Sequence, residues 1–149
     1  MALSLTEMKI SPVKGNAALL PNQPILQGCV VGGTAPLVAG DVVALTTGGV
    51  NETMVVKKAA VTDEPIGVVV SNPIKSQWQV GERVSVFPDN CYVYMEAGAT
   101  NIARGAKLQF TADGKVAATT TASNGYIGKA MTASTAVGDL LIVQVKPSK

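Results

Sequence analysis

The sequence predicts an all-β protein: a small closed or partly open β-barrel built from a duplicated strand unit, preceded by an extended N-terminal arm. Three observations carry this. The same strand motifs occur twice in the same order, apolar alternation is cut into short runs by Gly-containing turns, and no helical period is sustained anywhere. The first copy, residues 37–88, runs through Gly40-Asp41-Val42-Val43-Ala44-Leu45, a Gly48-Gly49 turn, Pro65-Ile66-Gly67-Val68 and Val80-Gly81-Glu82-Arg83-Val84-Ser85-Val86. The second, residues 102–147, runs through Arg104-Gly105-Ala106-Lys107-Leu108, Asp113-Gly114-Lys115-Val116, Tyr126-Ile127-Gly128-Lys129-Ala130 and Val137-Gly138-Asp139-Leu140. The chain accordingly divides into an arm, residues 1–26, and one barrel domain, residues 27–149.

The arm holds Pro12, Pro21 and Pro24, which exclude a continuous helix and leave an extended path or a first edge strand. Its apolar residues Met8, Ile10, Val13, Leu19 and Leu20 mark it as a docking segment for a neighbouring protein. Ile25 to Val31 reads as the first strand, ended by Gly32-Gly33, and Asp41 to Thr46 as the next. Gly48-Gly49 turns the chain into Val50 to Lys58. Ile66 to Val70 is an unbroken apolar run, the pattern of a strand buried on both faces. Glu82 to Phe87 alternates, with Val84 and Val86 on one face and Arg83, Ser85 and Phe87 on the other.

Tyr92 to Glu96 leads into the second copy, whose hairpin is marked by Asp113-Gly114, a pair suited to a type I′ turn. Ala117 to Ser123 is a frayed strand or a loop; Gly125 to Thr132 and Leu140 to Lys146 complete the set. Only Ser76–Gln79 and Ser134–Val137 leave room for a helical turn.

Composition narrows the function. Charged residues are 15% of the chain and the net charge is +2, so there is no basic stripe of the kind that neutralises phosphates, and nucleic acid is not an expected partner. A sparsely charged surface suits a protein packed into an assembly. No apolar run is long enough to span a membrane, and no signal peptide is read at the amino terminus. Cys29 and Cys91 sit in strand-like surroundings and read as small buried hydrophobes in a reducing compartment.

The chain contains no histidine, so the commonest general base is missing, as are the Ser-His-Asp and Cys-His arrangements. Two separated cysteines without histidine make no ordinary zinc site. Asp41, Glu82 and Asp139 each follow a glycine at a strand start, where turn formation accounts for them. No catalytic residue, cofactor or metal is therefore expected, and the chain does not read as an enzyme. Trp78, alone in a polar loop, is either a ring folded over a barrel end or an interface anchor. Tyr92 and Tyr94 share a strand face as packing residues, and they are too few to argue strongly for the alternative of a carbohydrate- or surface-binding module.

From Gly28 to Lys146 the succession of Gly-Asp-Val-Val-Ala-Leu, Pro-Ile-Gly-Val, Val-Gly-Glu-Arg-Val-Ser-Val, Asp-Gly-Lys-Val-Ala, Tyr-Ile-Gly-Lys-Ala and Gly-Asp-Leu resembles the small capsid decoration, or cement, proteins of tailed bacteriophages. These motifs are structural punctuation, not catalytic signatures. The resemblance implies a virion protein on the outer capsid surface, made in the bacterial host cytoplasm. It would bind the major capsid protein as a homotrimer and tie neighbouring capsomers together. On that basis Met8, Ile10, Val13, Leu19, Leu20 and Trp78 are the expected interface residues. A truncation of residues 1–24 is expected to leave a folded barrel that no longer binds heads.

Overall fold

The computed structural model describes residues 13–19, 23–46, 54–120 and 125–146. Twelve strands follow one another: β1 (Leu26–Val31), β2 (Leu37–Val38), β3 (Val42–Leu45), β4 (Val55–Lys58), β5 (Pro65–Val69), β6 (Gln77–Trp78), β7 (Arg83–Phe87), β8 (Tyr92–Ala97), β9 (Lys107–Phe110), β10 (Lys115–Ala118), β11 (Tyr126–Ala130) and β12 (Leu140–Val145). There is no helix among the described residues. The all-β class and the duplicated barrel unit are as the sequence indicates, and the closure is finer than expected. Each copy takes in the strand before it and closes by itself, giving one five-stranded barrel of order β1-β4-β3-β5-β7 and another of order β10-β8-β12-β11-β9. Closure within each copy leaves neither ring an open edge to share.

The two rings match strand for strand. β1 pairs parallel with β4, as β8 does with β10, and antiparallel with β7, as β8 does with β12. The β3–β5 register slips once beside Gly67, and the β9–β11 register slips once beside Gly128. These two glycines explain the repeated X-Ile-Gly motif. A Cβ at Gly67 would land on the Phe87 carbonyl oxygen, and one at Gly128 on that of Gln144, so the closing strand can approach only a residue without a side chain.

Inside the first barrel Cys29, Val31, Val43, Val56, Val69, Val84 and Val86 form one core. Over it lies the two-stranded sheet of β2 and β6, with Leu37 opposite Trp78. This sheet was not evident in the sequence, where Ser76–Gln79 looked helical at most. A two-residue strand carries no period to detect. The other candidate, Ser134–Val137, holds no helix: Ser134 bridges Ile102, and a turn closed by the Asp139 N–H to the Ala136 carbonyl follows. The second barrel buries Met95, Leu108, Phe110, Val116, Ile127, Leu141 and Val143.

What joins the barrels is the outward face of the first. Val42 and Ala44 of β3, Val68 of β5 and Phe87 of β7 point away from their own core and merge with that of the second barrel. This explains the unbroken apolar run at 66–70: Val69 faces one core and Val68 the other. It also explains Phe87, which lies on the face shared with Arg83 and Ser85 yet is buried. The corresponding positions of the second barrel are Lys107, Gln109, Lys129 and Gln144. Their exposed or half-exposed polar side chains end the stack after two units, the role of a polar cap in a repeat protein. At the joint Asp41 is 1% exposed; its Oδ2 accepts the Val38 N–H at 2.9 Å, and Lys58 Nζ stands 3.7 Å from Oδ1.

The hairpin at Asp113–Gly114 is present but is not type I′. Only Gly114 has positive φ, and the Gly114 N–H donates to the Thr111 carbonyl while the Thr111 N–H donates to that of Lys115. That is a type I turn followed by a left-handed residue, the three-residue loop, which leaves Asp113 in ordinary conformation. Gly48–Gly49 lies outside the described residues.

Candidate interaction surface

Three carboxylates among the described residues, Asp63, Glu82 and Asp139, are engaged in building turns. Before β7, Glu82 accepts from the Gln79 N–H and pairs with Lys75. At the equivalent place before β12, Asp139 accepts from the Ala136 N–H at 2.9 Å and the Thr135 N–H at 3.1 Å. Asp63 accepts from the Ala60 N–H at 2.9 Å and lies 3.2 Å from Lys57 Nζ. The backbone donors at Ala136 and then Thr135 hold the Asp139 carboxyl below its ordinary range; the Lys75 hydrogen bond and then the Gln79 N–H do so for Glu82, and the Ala60 N–H and then Lys57 for Asp63.

A pH dependence follows with a definite sign. A carboxyl whose folded pKa is depressed stabilises the fold above its unfolded pKa, near 3.8 for Asp and 4.5 for Glu, and that contribution is lost as pH falls through the folded value. Urea midpoints are therefore expected to hold steady above about pH 5 and to drop below about pH 4. The triple variant Asp63→Asn, Glu82→Gln, Asp139→Asn is expected to have a flatter acid limb. An acid limb as steep as that of the parent would show that these turns do not set the acid sensitivity.

No group of three or more Cys, Asp or Glu side chains placed to hold a metal ion occurs among the described residues. Cys29 and Cys91 are free and buried, and burial pushes both thiols up. They lie in different cores, Cys29 inside the first barrel and Cys91 in the cluster of the second.

Of the six expected interface residues, Met8, Ile10 and Leu20 lie outside the described residues. Val13 and Leu19 are 49% and 63% exposed, at the two ends of a described stretch of the arm. Trp78 is 5% exposed and packs its ring into the first core, so a partner would meet no more than its rim.

Between Val13 and Leu19 the arm is built into the fold. The Gly15 and Ala18 N–H groups donate to the Tyr94 and Tyr92 carbonyls, the Tyr94 N–H donates to Asn16, and the Ser71 N–H donates to Gly15. Gln23 adds a side-chain pair to the backbone of Tyr92, accepting its N–H and donating to its carbonyl. The arm thus runs along β8 and ties it to the end of β5 in the first barrel. A truncation at residue 24 removes hydrogen bonds of the fold, those of Gly15, Asn16, Ala18 and Gln23, together with the arm. Its partner, β8 of the same chain, was not legible in the sequence.

The sequence also passed over Ile74. It is 93% exposed, at the tip of the turn Asn72–Lys75 in the loop between β5 and β7. A comparison of the two copies would have found it. The connection from β5 to β7 spans residues 70–82 and carries β6 as well as this turn, whereas its counterpart between β11 and β12 spans 131–139 and carries no strand.

No protein-family model matches the chain, and no curated protein matches it. Among solved structures, the N base of the head fibre protein gp8.5 of bacteriophage phi29 has a similar fold, with a TM-score of 0.60 at 20% identity, over 85% of this chain and 98% of that one.

Proposed function

We propose that this chain is a structural protein of a bacteriophage head, bound to the outer surface of the shell, where it ties neighbouring capsomers together. The observation that carries the proposal is the likeness of the fold, over 85% of the chain, to the N base of a phage head fibre protein. The carboxylate chemistry is consistent with it: Glu82, Asp139 and Asp63 are occupied in closing turns and no catalytic constellation forms around them. The partner in this reading is the major capsid protein, with the chain acting as a homotrimer. Many symmetric shell sites let modest contacts add up to firm attachment. Nothing favours a carbohydrate-binding module, since Trp78 is buried and Tyr92 and Tyr94 are half-buried beside the arm.

The test is cosedimentation of purified protein with empty heads of the phage that encodes it, assembled without it. The expected result is saturable binding at a fixed number of copies per head, with raised resistance of the decorated heads to heat or chelators. Protein left wholly in the supernatant would overturn the proposal.

A further inference from the structure

The groove between the arm and the Asn72–Lys75 turn is an exposed apolar feature that one copy of the unit has and the other lacks. Its walls include Val13, Lys14 and Asn16 on the arm side and Pro73 and Lys75 on the turn side, around a volume of about 610 Å³. Single exposed apolar residues are ordinary on protein surfaces. Ile74 differs in three respects. It is almost fully exposed at the tip, whereas most of the other exposed apolar side chains lie against their surroundings by half or more. It stands on an insertion without counterpart between β11 and β12.

Its turn is also held rigid: Pro73 fixes one φ, Asn72 Oδ1 accepts the Ile74 N–H at 2.9 Å, and Lys75 is anchored to Glu82. A turn whose backbone is already fixed loses little further freedom on binding, which favours an interface anchor at its tip. Across the groove, the stem of Lys14 lies over Gly40, and its ammonium forms no ion pair with any described carboxylate. The walls carry cations and amides and no carboxylate.

We infer that the rim of this groove, together with Ile74 at the tip of the adjoining turn, is the contact through which the chain grips the shell protein. Ile74 and Val13 enter an apolar recess of the partner, and Lys14 meets a carboxylate beside it. The inference rests on the head-binding proposal and deepens it by naming the surface. Charge complementarity selects the partner's chemistry, an apolar recess flanked by Asp or Glu. A second copy of this chain fits less well, because the groove would then face its own lysines.

The experiment compares the wild type, Ile74→Asp, Lys14→Glu and Val137→Asp in the same cosedimentation with empty heads. Val137 is the control: it is 54% exposed in the segment before β12 and does not line the groove. Urea midpoints and light scattering establish that each variant is folded and report its oligomeric state. Ile74→Asp is expected to weaken head binding by about 30-fold or more. Lys14→Glu should weaken it several-fold and reduce its salt dependence, with Val137→Asp unchanged. If wild type binds and Ile74→Asp binds equally well, the groove assignment fails while the head-binding proposal stands. If wild type itself does not bind, both fail. If Ile74→Asp changes the oligomeric state of the free protein and not its affinity for heads, the groove joins copies of this chain and the inference is overturned.

Discussion

Replacing Gly128 with alanine is expected to destabilise the protein by about 3 kcal/mol or more, a large fraction of the roughly 5–15 kcal/mol available to a domain. The reason is geometric. The added methyl group would occupy the position of the Gln144 carbonyl oxygen on β12, a backbone atom that no rotamer change can move. The strands must part, which strains the Gly128–Val145 register that closes the second barrel. Gly67→Ala does the same to the first barrel through the Phe87 carbonyl, so both variants should be severe, unlike glycine-to-alanine changes on the surface. Urea denaturation measures the effect. A loss below about 1 kcal/mol at either position, small beside the typical cost of such overpacking, would mean that closure does not depend on the missing side chain.

Val68→Lys is expected to be comparably damaging, at about 3–5 kcal/mol, although it substitutes the residue that the second copy carries at the same place. Val68 is wholly buried between the barrels, whereas Lys129 is exposed. An ammonium placed there would lose its hydration among the apolar side chains of the Val42–Phe87 cluster. Either the charge stays buried and stability falls, or the barrels separate and unfolding splits into two transitions with a smaller denaturant slope. The reciprocal change, Lys129→Val, should leave the fold intact, because it adds an apolar side chain to a free face. A single unshifted transition for Val68→Lys would show that the barrels touch without depending on each other.

These two positions also mark how far the sequence could be read. The strand-forming segments were legible because period-two alternation and Gly turns are local signals, and their repetition showed the unit twice. The number of rings was not. Whether β4 turns back on β1 or reaches the other copy depends on parallel pairing between segments some 25 residues apart, which no local pattern encodes. The significance of Val68 against Lys129 was visible in the letters, but it acquires meaning only once β5 is known to separate two cores.

The interaction surface was less legible. The prolines speak against a helix in the arm, but the stretch from Val13 to Leu19 is held by backbone hydrogen bonds that carry no sequence signature. Trp78 attracted notice through rarity in a polar loop, and its pairing opposite Leu37 came from a strand too short to detect. Ile74 was overlooked because one isoleucine in a loop has no period; only its turn, absent from the other copy, sets it apart.

The joint between the barrels has a consequence for the order in which the chain is made. Residues 26–87 leave the ribosome with every strand needed to close the first ring, but its outer face stays uncovered until residues 92–145 have followed. Residues 13–19, synthesised before either ring, find their partners on β8 only when Tyr92 and Tyr94 arrive. During that interval a nascent chain displays Val42, Val68 and Phe87 to the cytosol, the kind of transient apolar surface that chaperones recognise and that neighbouring copies can capture. The vulnerable moment of this small protein therefore comes during translation, between the completion of its first ring and the arrival of its second.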